Sequence, residues 1–439
     1  MSLLVRARDG LKAVRTGHGA EPGPVGHSTE AGCVGHGLEG GGGGAVGRGG
    51  GRFGHGAGAV RAGGAGGGSG GGGDGGGSSG GRDGACAGGR RRLVWADAVK
   101  GVCIVLVVLW HVVVKDYLRV DWRVAVPVPG GWGALGDGLL TLRMPLFFTV
   151  SGMLAAGAFL RPWGAVARSR VGRFLYLYLL WAAIHTVLLG FAPGFDTGRA
   201  HGPAEFVTQV LFTPPNVWYL YALALYFTVA KLLRRVPAPV LIGAALVLAV
   251  AVAGWPEPLP GNRASLLRNL VFFLAGLHLR PHLERLAATT GPRRAALLGA
   301  GYAAALLAVA LTGAEGVPGV WPAVCALAVM FGVSAAPLLA AVPGLGAGAA
   351  WLGRRTLAVY VVHMPVLALL DHFLAPPLSA VGPAWLRLVL AVVYPVLMTA
   401  VIVALCLLAE KALGRASWLF DLPARERRGR RRIGAVRQV

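Results

Sequence analysis

WADAVKGVCIVLVVLWHVVVK, residues 95–115, decides the fold. A helix that crosses the hydrocarbon core of a bilayer needs roughly 20 mostly apolar residues. This stretch supplies them in one run, interrupted by Asp97, Lys100 and His111. Comparable apolar runs follow at 137–160, 174–191, 217–233, 239–253, 266–279, 295–311, 320–339, 352–374 and 383–413, the sixth of the series short and the last long. With 95–114 as the first, they predict an all-α, polytopic integral membrane bundle of about ten transmembrane helices.

Composition agrees. Of 439 residues, 55% are hydrophobic and 14% charged, which selects lipid as the solvent. The formal charge of +23 would mark a nucleic-acid binder if it lay on a basic helix interleaved with aromatics. Here the arginines stand between apolar segments, so nucleic acid is excluded as a partner and membrane orientation explains them. Counting from Arg90–Arg92, every second connection is basic: Arg161, Arg168, Arg170 and Arg173, then Lys231, Arg234 and Arg235. The series continues with Arg280, Arg285, Arg293 and Arg294, then Arg354 and Arg355, and the tail carries Arg425, Arg427, Arg428 and Arg430–Arg432. The intervening connections are poorer in base, which predicts a multi-pass protein of the plasma membrane with both termini cytoplasmic. Trp95, Trp132, Trp163, Trp255 and Trp321 fall near predicted helix ends, where interfacial belts form.

Three regions follow. Residues 1–89 are dominated by glycine, with nearly uninterrupted tracts at Gly40–Gly44 and Gly67–Gly80. Such a segment cannot bury enough apolar surface to offset its chain entropy, so it is expected to be disordered, unless translation begins downstream and the segment is mis-annotated. Residues 90–414 form the membrane domain, and 415–439 a basic cytoplasmic tail. No apolar run followed by a small-residue cleavage site opens the chain, so the first membrane helix is expected to direct insertion. Cys33, Cys86, Cys103, Cys325 and Cys406 are scattered, which gives neither a zinc spacing nor a disulfide framework, and no metal site is expected.

Ionisable side chains in a membrane helix are functional candidates by default. Lys100 and His111 are eleven residues apart, close to three turns, so they share one helix face about 16 Å apart along the axis. Asp97 and Lys100 lie near the cytoplasmic end, where snorkelling to the interface is the structural alternative. His111 lies in the outer half, where the alternative is a hydrogen bond to a neighbouring helix. In the second helix Arg143 needs an anionic or carbonyl partner, and its planar fork suits a carboxylate, a phosphate or a developing oxyanion. A Pro145-kinked packing helix with Arg143 turned outward is the structural alternative. Ser151-Gly152 permits close helix approach. Trp218 and Tyr219 open the fourth helix, and Tyr360 and His363, three apart, face one side of the ninth. His185, Asp371 and His372 are expected to be structural. No GxSxG, Walker loop, HExxH or Cys/His cluster is present, which leaves histidine as general base with arginine and lysine as electrostatic partners.

These residues resemble the membrane acyltransferase-3 family, within it the fucose 4-O-acetylase-like branch, over roughly 92–413. WADAVKGVCIVLVVLWH is similar to the family's R-x-x-x-x-D-x-x-K/R-G…H first helix, and MPLFFTVSG (144–152) to its FxMPLFFFxSG. RVGRFLYLYLLW (170–181), NVWYLYAL (216–223), LRNLVFFLAGLHLR (267–280) and WLGRRTLAVYVVH (351–363) match four further segments in the family's order. The sequence departs at Trp110, where glycine is common, and at Tyr178, where proline is.

The resemblance implies acyl transfer, usually of acetyl, from a cytoplasmic acyl-CoA such as acetyl-CoA to a hydroxyl of a carbohydrate, cell-envelope glycan or glycolipid. No bound cofactor is implied. The family's histidine falls on His111, its basic partner on Lys100 and its acidic position on Asp97. Joined with the residue reading above, His111, Lys100 and Arg143 are the expected catalytic residues, with Asp97, Ser151, Trp218, Tyr219, Tyr360 and His363 as expected substrate- or donor-binding residues. A transporter or flippase for a lipid-linked sugar or small molecule, its path lined by the same polar groups, is the alternative.

Overall fold

The computed structural model describes residues 93–124, 127–192, 194–195, 197, 200–214, 216–254, 259, 261–379 and 381–423. Residues 1–89, Arg90–Arg92, Arg199, Trp255 and the tail arginines lie outside them, with the expectations attached to each.

Among the described residues every regular element is helical. The helices used below are α1 (Val94–Lys115), α2 (Pro127–Gly138), α3 (Leu140–Phe159), α4 (Arg173–Leu188), α5 (Pro203–Phe212), α6 (Trp218–Leu232) and α7 (Ala238–Ala253). They continue as α8 (Arg263–His278), α9 (Arg280–Thr289), α10 (Pro292–Thr312), α11 (Val320–Ala341), α12 (Leu345–Gly353), α13 (Thr356–Ser379) and α14 (Ala384–Ala412).

All ten predicted segments are helical, but the described residues hold seven helices long and apolar enough to cross a membrane. The shortfall lies in the middle of the chain. α6 has 15 residues, and α7 and α8 have 16 each. At about 1.5 Å per residue, 16 residues reach roughly 24 Å, against a hydrocarbon core of about 30 Å. A second difference is at 352–374, predicted as one helix. The chain turns at Arg354-Arg355, so α12 ends at Gly353 and α13 starts at Thr356.

α1 packs on α3, α11, α12, α13 and α14. Without a hydrophobic drive between helices in lipid, close packing depends on small residues that let backbones meet. Two such meetings fix the bundle. A Cβ on Gly353 would collide with the Asp97 carbonyl, and one on Gly101 with the Ala349 carbonyl, so α12 lies directly on the first turns of α1. Gly152 and Gly276 do the same for α3 and α8, against the Phe273 and Thr149 carbonyls. The Lys231 ammonium donates to the Phe159 and Arg161 carbonyls at 2.5 Å each, closing the last turn of α3. Past α14 the chain returns to α4: the Trp181 indole donates to the Leu419 carbonyl at 2.8 Å, and Arg173 pairs with Asp421 at 2.9 Å.

Cys103, Cys325 and Cys406 are buried free thiols, in keeping with small apolar packers.

Candidate functional site in the C-terminal half of α1

His111 Nδ1 lies 2.8 Å from the Val107 carbonyl, one turn back on α1. A carbonyl can only accept, so Nδ1 carries the proton and Nε2 keeps the lone pair. Across the helix boundary, His363 on α13 is arranged in the same way. Its Nδ1 donates to the Tyr360 carbonyl at 2.7 Å and the Val359 carbonyl at 3.1 Å. The ring is 1% exposed and its Nε2 has no hydrogen-bond partner. The two imidazole centroids are 4.9 Å apart with the planes tilted by 60°.

Arg143, expected either to serve the site or to snorkel, is 3% exposed and points inward from α3. Its guanidinium carbon lies 4.4 Å from the Trp110 ring centroid, a cation–π contact of the kind worth about 2 kcal/mol when desolvated. Nη1 has no hydrogen-bond partner. Asp137, on α2, supplies the carboxylate charge that acts on Arg143. A small cleft walled by Leu106, Leu109, Val113, Trp132 and Leu135 opens on Trp110 and Arg143. Trp110, noted in the sequence only as a departure from glycine, is therefore the platform on which the site's cation rests.

Behind His363 runs a polar chain that gathers four of the expected residues. The Tyr360 hydroxyl accepts from the Tyr219 amide at 3.0 Å and donates to the Asn216 carbonyl at 3.1 Å, satisfying an orphan N–H of the first turn of α6. The Tyr219 hydroxyl meets the Ser151 Oγ at 2.6 Å, and the Tyr360 and His363 ring centroids are 6.0 Å apart. Trp218 lies beside this chain, its ring 5.8 Å from that of Phe148.

Lys100 and Asp97 are elsewhere. They pair with each other at 2.9 Å in the first turns of α1, with Asp97 6% exposed. The structure does not bring Lys100 to His111 or Arg143. Among the residues read as structural, His185 donates from Nε2 to the Val361 carbonyl at 2.7 Å, tying α4 to α13 two residues before His363. The fully buried Asp116 accepts from the Tyr394 hydroxyl at 2.7 Å. Tyr178, at the other departure from the family pattern, donates to the Val210 carbonyl at 2.8 Å and so ties α4 to α5.

A family model described as an acyltransferase domain, Acyl_transf_3, matches residues 93–410. The Inner membrane protein YcfT of Escherichia coli (strain K12) is 29% identical over 202 residues, covering 43% of this chain and 56% of that protein. The chain thus spans little more than half the length of that curated relative. No solved structure matches.

Proposed function

The chain belongs to the acyltransferase-3 family, and from that premise we propose that it is a plasma-membrane O-acyltransferase. It moves an acyl group, acetyl in the first instance, from an acyl-CoA to a hydroxyl of a carbohydrate, cell-envelope glycan or glycolipid. Counted over ten crossings, the shorter α6, α7 and α8 included, the alternation of basic connections supports both termini on the cytoplasmic side. CoA then approaches from the inner end of α1, where Lys100 and Asp97 hold that end in place, and the acceptor reaches the outer half.

One observation carries the reading: His111 has its Nδ1 proton committed to the Val107 carbonyl, which leaves Nε2 as a base, within one helix crossing of a buried, partly unsatisfied Arg143. His111 Nε2 takes the acceptor's hydroxyl proton as the hydroxyl oxygen forms its bond to the thioester carbonyl carbon. The carbonyl oxygen gains charge beside Arg143, the C–S bond breaks, and the proton ends on the departing CoA thiolate. A preorganised donor at such an oxyanion is worth about 3 kcal/mol, and general-base catalysis about 10²–10⁴-fold in rate. Tyr219, Tyr360, Ser151 and Trp218 form the wall against which the acceptor rests.

The test uses purified protein in bilayer discs with radiolabelled acetyl-CoA and cell-envelope glycans. Label passes to the glycan with the native chain and is lost with His111→Ala. Undiminished transfer in that variant, or none with the native chain, overturns the reading, and glycan uptake into sealed proteoliposomes without label transfer would make the bundle a conduit.

A further inference from the structure

We infer that the cleft beside Trp110 receives the methyl of the donor's acetyl group, and that Leu109 and Leu135, on its opposite walls, set the length of the acyl chain. The inference rests on the acyl-transfer reading and deepens it, from the class of reaction to the residues that choose the acyl group.

Leu106, Leu109, Trp110 and Val113 line the cleft from α1. Their spacing at i, i+3, i+4 and i+7 puts all four on one face of that helix. α2 packs against α1 and supplies the opposite wall with Trp132, Leu135 and Gly136. Arg143 of α3 brings the charge, held against the Trp110 ring at 4.4 Å. The space between these walls admits about one water-sized group. A methyl fits that description and a longer chain does not.

A thioester carbonyl carries its oxygen and its methyl on the same carbon, so the oxyanion site and the methyl site have to adjoin. Here they do, because Arg143, whose Nη1 has no hydrogen-bond partner, is itself part of the cleft wall. The base stands to one side. His111 follows Trp110 by one residue, about 100° further round the helix, with its ring edge-on to the indole at 4.8 Å between centroids. The apolar walls take the methyl, the guanidinium takes the oxygen, and the side of His111 is left for the acceptor hydroxyl.

Gly136 gives the arrangement a second handle. A Cβ there would stand 3.2 Å from Trp110 Cδ1 and 4.0 Å from Val113 Cγ1. Both atoms belong to the cleft walls, so Gly136→Ala sets a methyl where the acyl methyl is to go. Leu109→Ala and Leu135→Ala do the reverse and widen the cleft from either side.

The experiment compares acetyl-, propionyl- and butyryl-CoA as donors for the full-length protein in bilayer discs. One added methylene in a tight apolar pocket is worth about 10–200-fold in kcat/KM, and the native chain should prefer acetyl to propionyl by that factor. Each leucine variant should cut the preference about tenfold or more, and Gly136→Ala should lose acetyl transfer. A preference unchanged in both leucine variants overturns the inference.

A second arm needs no turnover. Leu135 is 47% exposed, while Cys103, Cys325 and Cys406 are buried, so Leu135→Cys, combined with Cys33→Ser and Cys86→Ser, offers a thiol to N-ethylmaleimide at the cleft. Acetyl-CoA should slow the labelling, and CoA alone, at a concentration shown by calorimetry to saturate, should not. Equal rates under the two ligands overturn the assignment. If the native chain transfers no acyl group from any donor, the acyl-transfer reading fails, while slower labelling under acetyl-CoA still places the acetyl group in the cleft.

Discussion

The two ends of α1 treat their polar groups in opposite ways. At the N-terminal end, the inner end in the orientation proposed above, Asp97 and Lys100 close on each other at 2.9 Å, and Gly101 lies against the α12 backbone with no space for a side chain. In the outer half Arg143 Nη1 and His363 Nε2 are buried without hydrogen-bond partners, and a cleft opens beside Trp110. Leaving buried polar groups unsatisfied in an apolar medium costs several kcal/mol each. The surroundings of α1 therefore differ along its length: the inner end is closed by its own ion pair and by backbone contact with α12, whereas beside the outer half α3 and α13 bring up Arg143 and His363, each with a buried polar atom that has no protein partner.

The comparison breaks first if the outer half proves dispensable. His111→Asn keeps a donor for the Val107 carbonyl and removes Nε2, so acyl transfer should fall by about 10²–10⁴-fold with the protein still eluting as a folded species. Arg143→Gln should lose about 10²–10³-fold in kcat, the size expected for one oxyanion donor, with acetyl-CoA binding by calorimetry little changed. A normal kcat in either variant would return the outer half to the status of packing.

The inner end should answer in stability instead. Gly353→Ala drives a methyl into the Asp97 carbonyl, and overpacking of this kind typically costs about 1–3 kcal/mol. A lowered midpoint in detergent thermal unfolding is the expected result. Gly316→Ala, which meets nothing within 4 Å, is the control that should not move. An equal response at both positions would show that α1 and α12 can part without consequence.

How much of this was legible beforehand varies by residue. α1 was, because a long apolar run with three ionisable residues has few other meanings in water or lipid. The shared face of Lys100 and His111, about three turns apart on one helix, followed from helical period. The partnership of His111 with His363 was not, since it joins α1 to α13 across a helix contact that no local spacing encodes. Period put Tyr360 and His363 on one face, but not which helix that face meets. Trp110 was visible only as an oddity, because its use depends on Arg143 arriving from α3. The break between α12 and α13 was hidden by apolar residues on both sides of Arg354-Arg355, so hydropathy ran straight through the turn. Hydropathy likewise marked α6, α7 and α8 as helices, while their length fell short of a straight crossing.

The smallest effect is expected where the sequence pattern placed a catalytic lysine. If Lys100 served the chemistry, losing it would cost as much as losing His111. The ion pair points the other way, but Lys100→Met alone cannot tell, because it leaves the buried Asp97 carboxylate without the ammonium, and breaking a buried pair is destabilising by about 3–5 kcal/mol. Removing both charges is the cleaner comparison, since replacing a buried pair by neutral groups is often close to neutral. Asp97→Asn combined with Lys100→Met should therefore unfold at a higher temperature than Lys100→Met and transfer acyl groups within about threefold of the native rate, because neither charge reaches the reacting atoms in the outer half. A loss of a hundredfold in the double variant, with its stability restored, would extend the active region down the whole face of α1 and end the division between its two halves.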